Sequence, residues 1–327
     1  MNQMKDREKI IEIFKREKSF NLISHMLPDG DSIGSLLAME LGLSKLGKKV
    51  MMFTPGHVPP KYTFIKGADK VLNDKKLFDN RGSIAVVLDS SDAERLGDFS
   101  DIVMENKNII NIDHHVTNQF FGTYNLVNAE ASATGEILFH LLNDLAVQID
   151  EDIAEALYVA ISTDTGSFKY ENTRPGTHRV VASLMEFNIN PGSLSQKVFD
   201  ERPLAFYTLL KEALSSLEFY EQQRIAVMTL SLDIRKRNGA TSDDLDGIVN
   251  YSRNIEGVEL GILFYADSDD EVKVGFRSKK LDVSALAGRL NGGGHARAAG
   301  CRLQGNYEQV KNRVMTEARM MLKELPD

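Results

Sequence analysis

The sequence predicts an α/β protein: an N-terminal doubly wound, mostly parallel sheet domain, followed by a smaller C-terminal α+β domain. The chain has 327 residues, more than one domain usually holds. In its first half, short continuous apolar runs alternate with helical patterns, as in buried parallel strands joined by crossover helices. In its second half, several runs alternate apolar and polar residues, which favours a partly exposed sheet.

Composition and charge restrict the function. A net charge of −8 argues against a protein that coats long nucleic acid, but a short phosphorylated ligand held by a few arginines remains compatible. The single cysteine, Cys301, excludes an internal disulfide and a cysteine-based metal cluster. We see neither an apolar run of about 18 residues nor a signal peptide, and therefore expect a cytoplasmic protein without a membrane partner.

The first predicted unit is a helix at 5–18, a strand at 21–24 and a second helix that Ser32 could cap. The turn between the strand and the second helix carries three potential ligands: His25, Asp29 and Asp31. Because Asp29 and Asp31 are two residues apart, an extended backbone would point both carboxylates to one side. The two would then repel each other unless a cation lay between them.

Further strands are predicted at 48–54, at 83–91 and at 108–115. The second of these reaches Asp89, and the third delivers three polar side chains to its carboxyl end: Asp113, His114 and His115. Because open α/β sheets place ligands at the carboxyl ends of their strands, we expect these loops to meet.

Helices are predicted at 137–142, 153–161 and 177–187, and a turn after the second brings in a fourth carboxylate, Asp164. Pro191 and Gly192 mark the best boundary between domains. The expected organisation is a first domain at 1–190, a linker helix at 191–215 and a second domain at 216–327.

The second half is predicted to hold strands at 217–220, 225–230, 258–265 and 271–277, and helices near 242–254, 283–290 and 307–324. Its conspicuous feature is a glycine-rich run: Asn291, Gly292, Gly293, Gly294 and His295. The glycines could form a hinge, but they would also let backbone N–H groups approach a phosphate, and a hinge gives no reason for the histidine. Together with Arg277 and Ser278 at a neighbouring strand end, the run favours phosphate recognition.

The acids and histidines of the first half suggest a metal centre. Their carboxylates would repel one another strongly in one crevice, and two divalent cations carry the matching charge. A mixed oxygen and imidazole donor set suits Mn²⁺, with Fe, Co or Zn as alternatives, better than Ca²⁺ or Mg²⁺. Two such ions activate a hydroxide for attack on phosphorus, so the reaction class implied is hydrolysis of a phosphate ester.

These motifs, in this order, resemble those of the DHH phosphoesterase family, and the run at 292–295 resembles the hallmark of the DHH-associated domain. The resemblance implies that His25 and Asp29 bind one ion, and that Asp89 bridges to the second. It further implies that Asp31, His114 and Asp164 bind the second ion. His115 would act as general acid or transition-state stabiliser, and Asp113 would orient an imidazole. The substrate-phosphate site, across an interdomain cleft, would consist of Arg277, Ser278, Gly293, Gly294 and His295.

Within that family, the two-domain length is most similar to bacterial enzymes that degrade RNA fragments of about two to five nucleotides and remove the 3′-phosphate of pAp. We therefore expect short oligoribonucleotides, dinucleotides such as pApA, and pAp as substrates, with no track for long nucleic acid. A cyclic di-AMP or pApA phosphodiesterase is the nearest alternative, and a non-catalytic nucleotide sensor is the alternative of another class. A structural zinc protein is disfavoured because such sites usually use cysteines. A homodimer remains open.

Overall fold

The computed structural model describes residues 2–80, 82–238, 245, 247–268 and 270–324, except for the side chains of residues 2–4, 267 and 295. It divides into two compact units, Met1–Glu201 and Arg202–Asp327. The strands are β1 (Ser19–Ile23), β2 (Lys49–Phe53), β3 (Ile84–Leu88), β4 (Ile109–Asp113), β5 (Tyr124–Val127), β6 (Glu218–Tyr220), β7 (Ile225–Leu230), β8 (Leu260–Ser268), β9 (Glu271–Ser278), β10 (Gly293–His295) and β11 (Ala298–Gln304). The helices are α1 (Asn2–Arg16), α2 (Gly30–Lys45), α3 (Ser100–Met104), α4 (Thr134–Asp144), α5 (Glu151–Asp164), α6 (Pro175–Met185), α7 (Pro191–Ser195), α8 (Leu204–Ser215), α9 (Leu232–Arg237), α10 (Ile248–Arg253), α11 (Val283–Arg289) and α12 (Tyr307–Lys323).

The N-terminal unit is built on five parallel strands in the order β2-β1-β3-β4-β5. The chain leaves β1 for β2 on one side and later adds β3 on the other side of β1. The chain direction across the sheet therefore reverses between β1 and β3, and such a switch point opens a crevice beyond the carboxyl ends of the two strands. The fold class predicted from sequence, a parallel α/β unit followed by a smaller mixed unit, is confirmed.

Both faces of this sheet are covered. Helices α1, α2, α4 and α5 bury one face in the larger apolar core. Short 3₁₀ segments and α3 cover the other face, where Phe53, Phe78 and Phe99 pack with ring centroids 5.1 to 6.3 Å apart. Because the strands are buried on both faces, they are short and nearly all apolar, which is the pattern that made them predictable.

Two glycines let α2 approach α5 closely. A Cβ atom on Gly34 would lie 2.4 Å from the Ala156 carbonyl oxygen, and one on Gly30 would lie 2.4 Å from the side chain of Thr163. Such distances are shorter than van der Waals contact, so only glycine fits. The amino end of α2, which carries Asp31, is thereby held against the carboxyl end of α5, which carries Asp164.

The C-terminal unit contains a mixed sheet in the order β10-β11-β9-β8-β7-β6, in which only β7 and β8 pair in parallel. Helices α11 and α12 pack on one face of the sheet. Helices α8 and α10 cover β7 and β8 on the opposite face. Among the helices of the described residues, none has the length and hydropathy that crossing a membrane requires.

The sequence patterns missed some local structure. Strands β5, β10 and β11 were not predicted, because a four-residue strand and a glycine-rich pair give weak periodicity. Ser32 does not cap α2: the cap is Asp29, whose carboxylate accepts a hydrogen bond from the Ser32 N–H at 3.0 Å. Of the helix expected near 242–254, residues 242–244 and 246 lie outside the described part of the chain, and α10 covers Ile248–Arg253.

We predict that Gly34→Ala lowers stability by about 1–3 kcal/mol, because its methyl group would overpack the contact between α2 and α5. Gly176→Ala, in the first turn of α6, is the matched control, since its Cβ would meet its nearest neighbour at an ordinary 3.4 Å. Urea unfolding followed by circular dichroism checks the difference. Equal midpoints for the two variants would show that the close helix contact is not required.

Candidate metal centre

The carboxyl ends of three adjacent strands bring the predicted acids and histidines together. His25 lies two residues beyond β1, Asp89 directly follows β3, and His114 directly follows β4. Three overlapping groups of side chains place their ligand atoms within 4.8 Å of one another: His25 with Asp29 and Asp89, Asp31 with His114 and Asp164, and Asp89 with His114 and His115. The cluster therefore sits at the crevice that the strand order creates.

His25 is almost fully buried, and its ring is oriented by the backbone. Its Nδ1 lies 2.7 Å from the Met26 carbonyl oxygen, which can only accept, so Nδ1 carries the proton. Its Nε2 then presents a lone pair 3.5 Å from Asp89 Oδ2 and 3.9 Å from Asp29 Oδ1, and among the described residues it has no hydrogen-bond partner. A lone pair facing two carboxylates is unfavourable unless a cation lies among them.

His114 repeats this arrangement on the other side of Asp89. Its Nδ1 faces the Ala131 carbonyl oxygen at 3.4 Å. Its Nε2 faces a carboxylate oxygen on each of three acids: Asp164 at 3.4 Å, Asp89 at 3.7 Å and Asp31 at 3.8 Å. A backbone carbonyl behind the ring is the usual way in which proteins orient a metal-binding imidazole.

Asp89 has a strained backbone. Its φ of 59° lies in the left-handed region, which costs free energy for a residue other than glycine. The turn aims a carboxylate that is 2% exposed into the crevice, where the Thr134 hydroxyl donates to its Oδ1 at 3.0 Å. Strain of this kind is typical of functional positions.

Asp31 is held by the amino end of α4. The Thr134 and Gly135 N–H groups donate to its two oxygens at 2.6 and 2.9 Å, and the Ser35 hydroxyl adds a bond at 3.1 Å. The reason that the sequence suggested for pairing Asp29 with Asp31 is wrong: Asp31 lies in the first turn of α2, not in an extended segment. The two acids nevertheless enter the same cluster, because Asp29 caps the helix that Asp31 begins.

His115 belongs to a separate hydrogen-bonded chain. Its Nδ1 lies 2.6 Å from Asp113 Oδ1, and Asp113 Oδ2 accepts from Asn118 Nδ2 at 2.6 Å. The guanidinium of Arg95 approaches the opposite edge of the ring, with Nη1 3.2 Å from Nε2. The Arg95 carbonyl oxygen also accepts from the Met26 N–H at 2.7 Å, which ties its loop to that of His25.

The electrostatics of the cluster are dominated by burial and crowded charge. Burial raises the pKa of Asp31 well above its ordinary value, and the charges of Asp89 and Asp164 raise it further. Burial likewise raises the pKa of Asp164 to about 7. For Asp89 burial acts in the same direction, but His25 and the other imidazoles outweigh it and lower the pKa of that carboxyl.

For the histidines beside Asp89 and Asp113, burial and the neighbouring carboxylates shift the pKa in opposite directions. Burial lowers the pKa of each, but the nearby carboxylates outweigh it. Asp89 raises the pKa of His25, and Asp113 raises the pKa of His115 to about 9. The acids therefore favour the positively charged forms of His25 and His115.

The donor set fits a pair of divalent cations. Two imidazole nitrogens with oriented lone pairs and four carboxylates surround one crevice, and Asp89 belongs to both sides. A mixed nitrogen and oxygen set of this kind suits Mn²⁺ and its neighbours in the first transition row. The orphaned Nε2 of the buried His25 is the observation that best marks the crevice as a metal site.

The predicted substrate residues lie in the C-terminal unit. Across the sheet, His295 of β10 is in register with Ala298 of β11, which is in register with Arg277 of β9. The side chain of His295 lies outside the described part of the structure. Ser278 is buried, and its hydroxyl donates to the Leu281 carbonyl oxygen.

The three glycines of this run differ in whether packing requires glycine at their positions. A Cβ on Gly292 would lie 2.2 Å from the Gly300 carbonyl oxygen, and one on Gly294 would lie 2.5 Å from the Ala299 Cα. A Cβ on Gly293 would meet nothing within 4 Å. Asn291, with a φ of 58°, ends α11 in the left-handed conformation that asparagine tolerates. Packing therefore explains Gly292 and Gly294 but not Gly293.

Family models match both units. Residues 20–161 match the N-terminal domain of the DHH family, and residues 222–324 match the DHHA1 domain. The bifunctional oligoribonuclease and PAP phosphatase NrnA of Thermus thermophilus is 30% identical over 313 residues, which cover 95% of this chain and 92% of that protein. The chain belongs to the DHH family. It is accordingly a hydrolase that acts on phosphate esters.

Solved structures agree with the DHH fold. An exopolyphosphatase-related protein from Bacteroides fragilis superposes with a TM-score of 0.91 at 24% identity, covering 98% of this chain and 96% of that chain. RecJ from Thermus thermophilus in complex with Mn²⁺ has a TM-score of 0.56 at 11% identity, covering all of this chain and 56% of that chain. At these identities the likeness establishes the fold alone.

Sequence reasoning missed several residues that shape this DHH site. Thr134 donates to two of the acids, Asn118 holds Asp113, and Arg95 faces His115. None lies in a motif of acids and histidines, and Thr134 and Arg95 act over 20 residues of chain or more. The one available signal was Arg95, a basic residue six positions after the acid that ends β3.

We predict that Asp164→Asn changes stability in opposite directions with and without metal. No hydrogen bond to the Asp164 side chain is found among the described residues, and burial and the other acids outweigh the attraction of His114, so in EDTA the thermal midpoint should stay or rise. With saturating Mn²⁺ the variant should lose part of the stabilisation that ion binding gives the wild type.

Differential scanning fluorimetry across a Mn²⁺ titration checks this prediction. Asp69→Asn, a change on a 3₁₀ turn outside the cluster, is the control and should follow the wild type in both conditions. An Mn²⁺-dependent shift in Asp164→Asn equal to that of the wild type would contradict a ligand role for Asp164.

Proposed function

We propose that this DHH protein hydrolyses RNA fragments of about two to five nucleotides to mononucleotides and removes the 3′-phosphate of pAp, with two Mn²⁺ ions bound. The observation that carries the proposal is the position of Asp89, whose carboxylate is shared by ligand groups on both sides of it. The name of the Thermus thermophilus relative supports the substrate class.

The metal ligands follow from the groups that the cluster forms. His25 and Asp29 would hold one ion; Asp31, His114 and Asp164 would hold the other; and Asp89 would bind both. When bound, such a pair of ions supplies an activated nucleophile and neutralises charge on the phosphoryl group. Thr134 would fix the oxygens of Asp31 and Asp89 so that neither has to reorient.

His115 and Arg95 would act on the phosphate from the protein side. Asp113 fixes the imidazole through Nδ1, and a protonated His115 would donate a hydrogen bond or a proton from Nε2 to an oxygen of the substrate that lies between Nε2 and Arg95. With Arg95 Nη1 only 3.2 Å from Nε2, the two side chains are placed to share one anionic oxygen. Arg95 would thus stabilise the developing negative charge that His115 neutralises.

The C-terminal unit would bind the terminal phosphate of the substrate. Arg277 would supply charge, and the edge strand β10 would supply backbone N–H groups at Gly293 and Gly294 that need no side chain. Asn291 and Gly292 would shape the turn into β10, and His295 would add a donor. Ser278, whose hydroxyl is already engaged, would act through the loop it holds.

The nearest alternative is a phosphodiesterase whose main substrate is cyclic di-AMP or its linear product pApA. It would use the same metal ligands and differ only in where the bases are held. A non-catalytic nucleotide sensor is disfavoured by the complete set of acids around Asp89, because binding alone does not require such costly repulsion.

We predict that the purified protein with Mn²⁺ turns over pAp and 5′-labelled RNA of two to five nucleotides faster than cyclic di-AMP or pyrophosphate. Initial rates on all of these substrates and on pApA, at one ionic strength, check the prediction. Asp89→Ala should abolish every activity, since it removes the shared ligand. Faster turnover of cyclic di-AMP than of the RNA fragments would favour the alternative, and the absence of any metal-dependent turnover would favour the sensor.

We also predict that His115→Ala and Arg95→Ala keep both metals but lose turnover, whereas Asp89→Ala loses metal. Loss of a general acid should lower kcat by about 10²–10⁴-fold. Loss of one charged hydrogen bond by Arg95→Ala should cost about 10–100-fold, and Arg95→Lys should restore part of it.

Elemental analysis alongside kinetics separates these roles. Arg179→Ala, an exposed arginine on α6, is the matched control and should behave as the wild type. Normal metal content in Asp89→Ala would refute the shared-ligand role, and unchanged rates in Arg95→Ala would refute the anion contact.

A further inference from the structure

On one face of the C-terminal sheet, strands β9 and β11 line a groove in the part of the chain that the structure describes. Along β9 the side chains alternate between faces: Val272, Val274 and Phe276 enter the core beneath α11 and α12. Lys273, Gly275 and Arg277 point to the opposite face, where α10 covers β8 next to them. The cavity that remains has a volume of about 550 Å³. We call it the cationic groove; it is lined chiefly by Tyr265, Lys273, Gly275, Arg277, Gly300 and Arg302.

One row of the cationic groove concentrates positive charge. Lys273 lies directly opposite Arg302 on the neighbouring antiparallel strand, and Tyr265 lies opposite Lys273 on its other side. Like charges directly opposite each other destabilise a sheet. Arg302 is also 3.3 Å from Glu271, but the two cations still share one row of the groove wall. A bound anion would be attracted by both cations.

The middle of the cationic groove has a floor without side chains. In the next row Gly275 lies opposite Gly300. Glycine within a strand costs about 0.5–1 kcal/mol relative to alanine. A Cβ on Gly275 would find its nearest neighbour, Val249 Cγ1, at 4.0 Å, so packing does not require glycine there. Such a position is typical of a site where a ligand lies against the backbone.

The spacing of the charges indicates the ligand. Arg277 and Lys273 are four residues apart on one strand, or about 13 Å. The flat floor of Gly275 and Gly300 lies between them, and Tyr265 borders the far end. A chain of phosphates alone would call for cations along the whole length. A charged end, a flat middle and a second charged end instead suit a nucleotide whose base lies on the floor and whose neighbouring phosphates reach both ends.

We propose that the cationic groove is a second subsite, which binds the nucleotide of an oligoribonucleotide that lies beyond the phosphate held at Arg277, with the next phosphate at Lys273 and Arg302. This proposal rests on the proposed function for the identity of the substrate. The groove would add affinity for RNA of three or more nucleotides and none for pAp, because the metal centre would hold the 3′-phosphate of pAp and Arg277 its 5′-phosphate, which leaves no nucleotide for the groove.

The test compares substrate lengths in two variants. In Gly275→Val the new side chain fills the floor, and Gly275→Ala is the smaller version should valine disturb the strand. Lys273→Ala removes charge from the far end. For each, we expect the KM for a pentaribonucleotide to rise about tenfold while kcat/KM for pAp stays within twofold. Gly288→Ala, a glycine of α11 with open space around it, and Lys323→Ala, an exposed lysine of α12, are the matched controls.

Binding without turnover separates the two proposals. Fluorescence anisotropy of a labelled pentaribonucleotide with metal-free protein should show Kd raised in Gly275→Val and in Lys273→Ala. Lys273→Ala should also reduce the slope of log Kd against log salt concentration by about one, the value for one lost phosphate contact. If the wild type binds RNA in this way but hydrolyses none, the proposed function fails and the groove stands. If the wild type hydrolyses RNA while neither variant changes KM or Kd, or if pAp and the pentaribonucleotide suffer equally, the groove proposal is wrong.

Discussion

The repulsion among buried carboxylates is the constraint on which the N-terminal unit depends. Asp31 and Asp89 are nearly fully buried, and Asp164 approaches them across His114. Two like charges about 4 Å apart cost roughly 4 kcal/mol at the effective dielectric near a protein surface. The fold relieves only part of this cost, through the α4 backbone at Asp31 and the imidazoles around Asp89. A fold that keeps such an arrangement does so for a ligand that carries the opposite charge.

The rest of the unit is arranged to hold these charges in place. Parallel strands buried on both faces cannot slide, so the residues that follow β1, β3 and β4 stay at fixed distances. The glycine contact between α2 and α5 brings in the two acids that come from helices rather than strands. The large apolar core therefore stabilises a small site that is itself unfavourable, including the strained backbone of Asp89 and the close helix contact.

The sequence allowed the strand-end residues to be found because a buried parallel strand is a short apolar run, and whatever follows it must lie at one edge of the sheet. Asp89 and His114 were found on this basis. Asp31 was found for the wrong reason, since its position depends on the helix that Asp29 caps. Thr134 could not be found, because it contacts Asp89 and Asp31 across 45 or more residues of chain and has no periodic signature. Arg95 gave only the weak signal of a basic residue six positions after Asp89, and its contact to His115 spans 20 residues. The strand β10 escaped for another reason: glycine lacks the side chain whose alternation marks a strand.

The protein is acidic as a whole but carries a basic groove in its C-terminal unit, and this contrast would favour short ligands. At a net charge of −8, long-range electrostatics repel RNA, so affinity must come from close contacts such as those of Arg277 and the cationic groove. On the proposed function, each nucleotide that enters the groove gains such contacts. Each nucleotide beyond it gains none and adds phosphate charge near an acidic surface. Preference for short substrates then follows from the finite length of the basic surface, without any need for a wall that blocks longer chains.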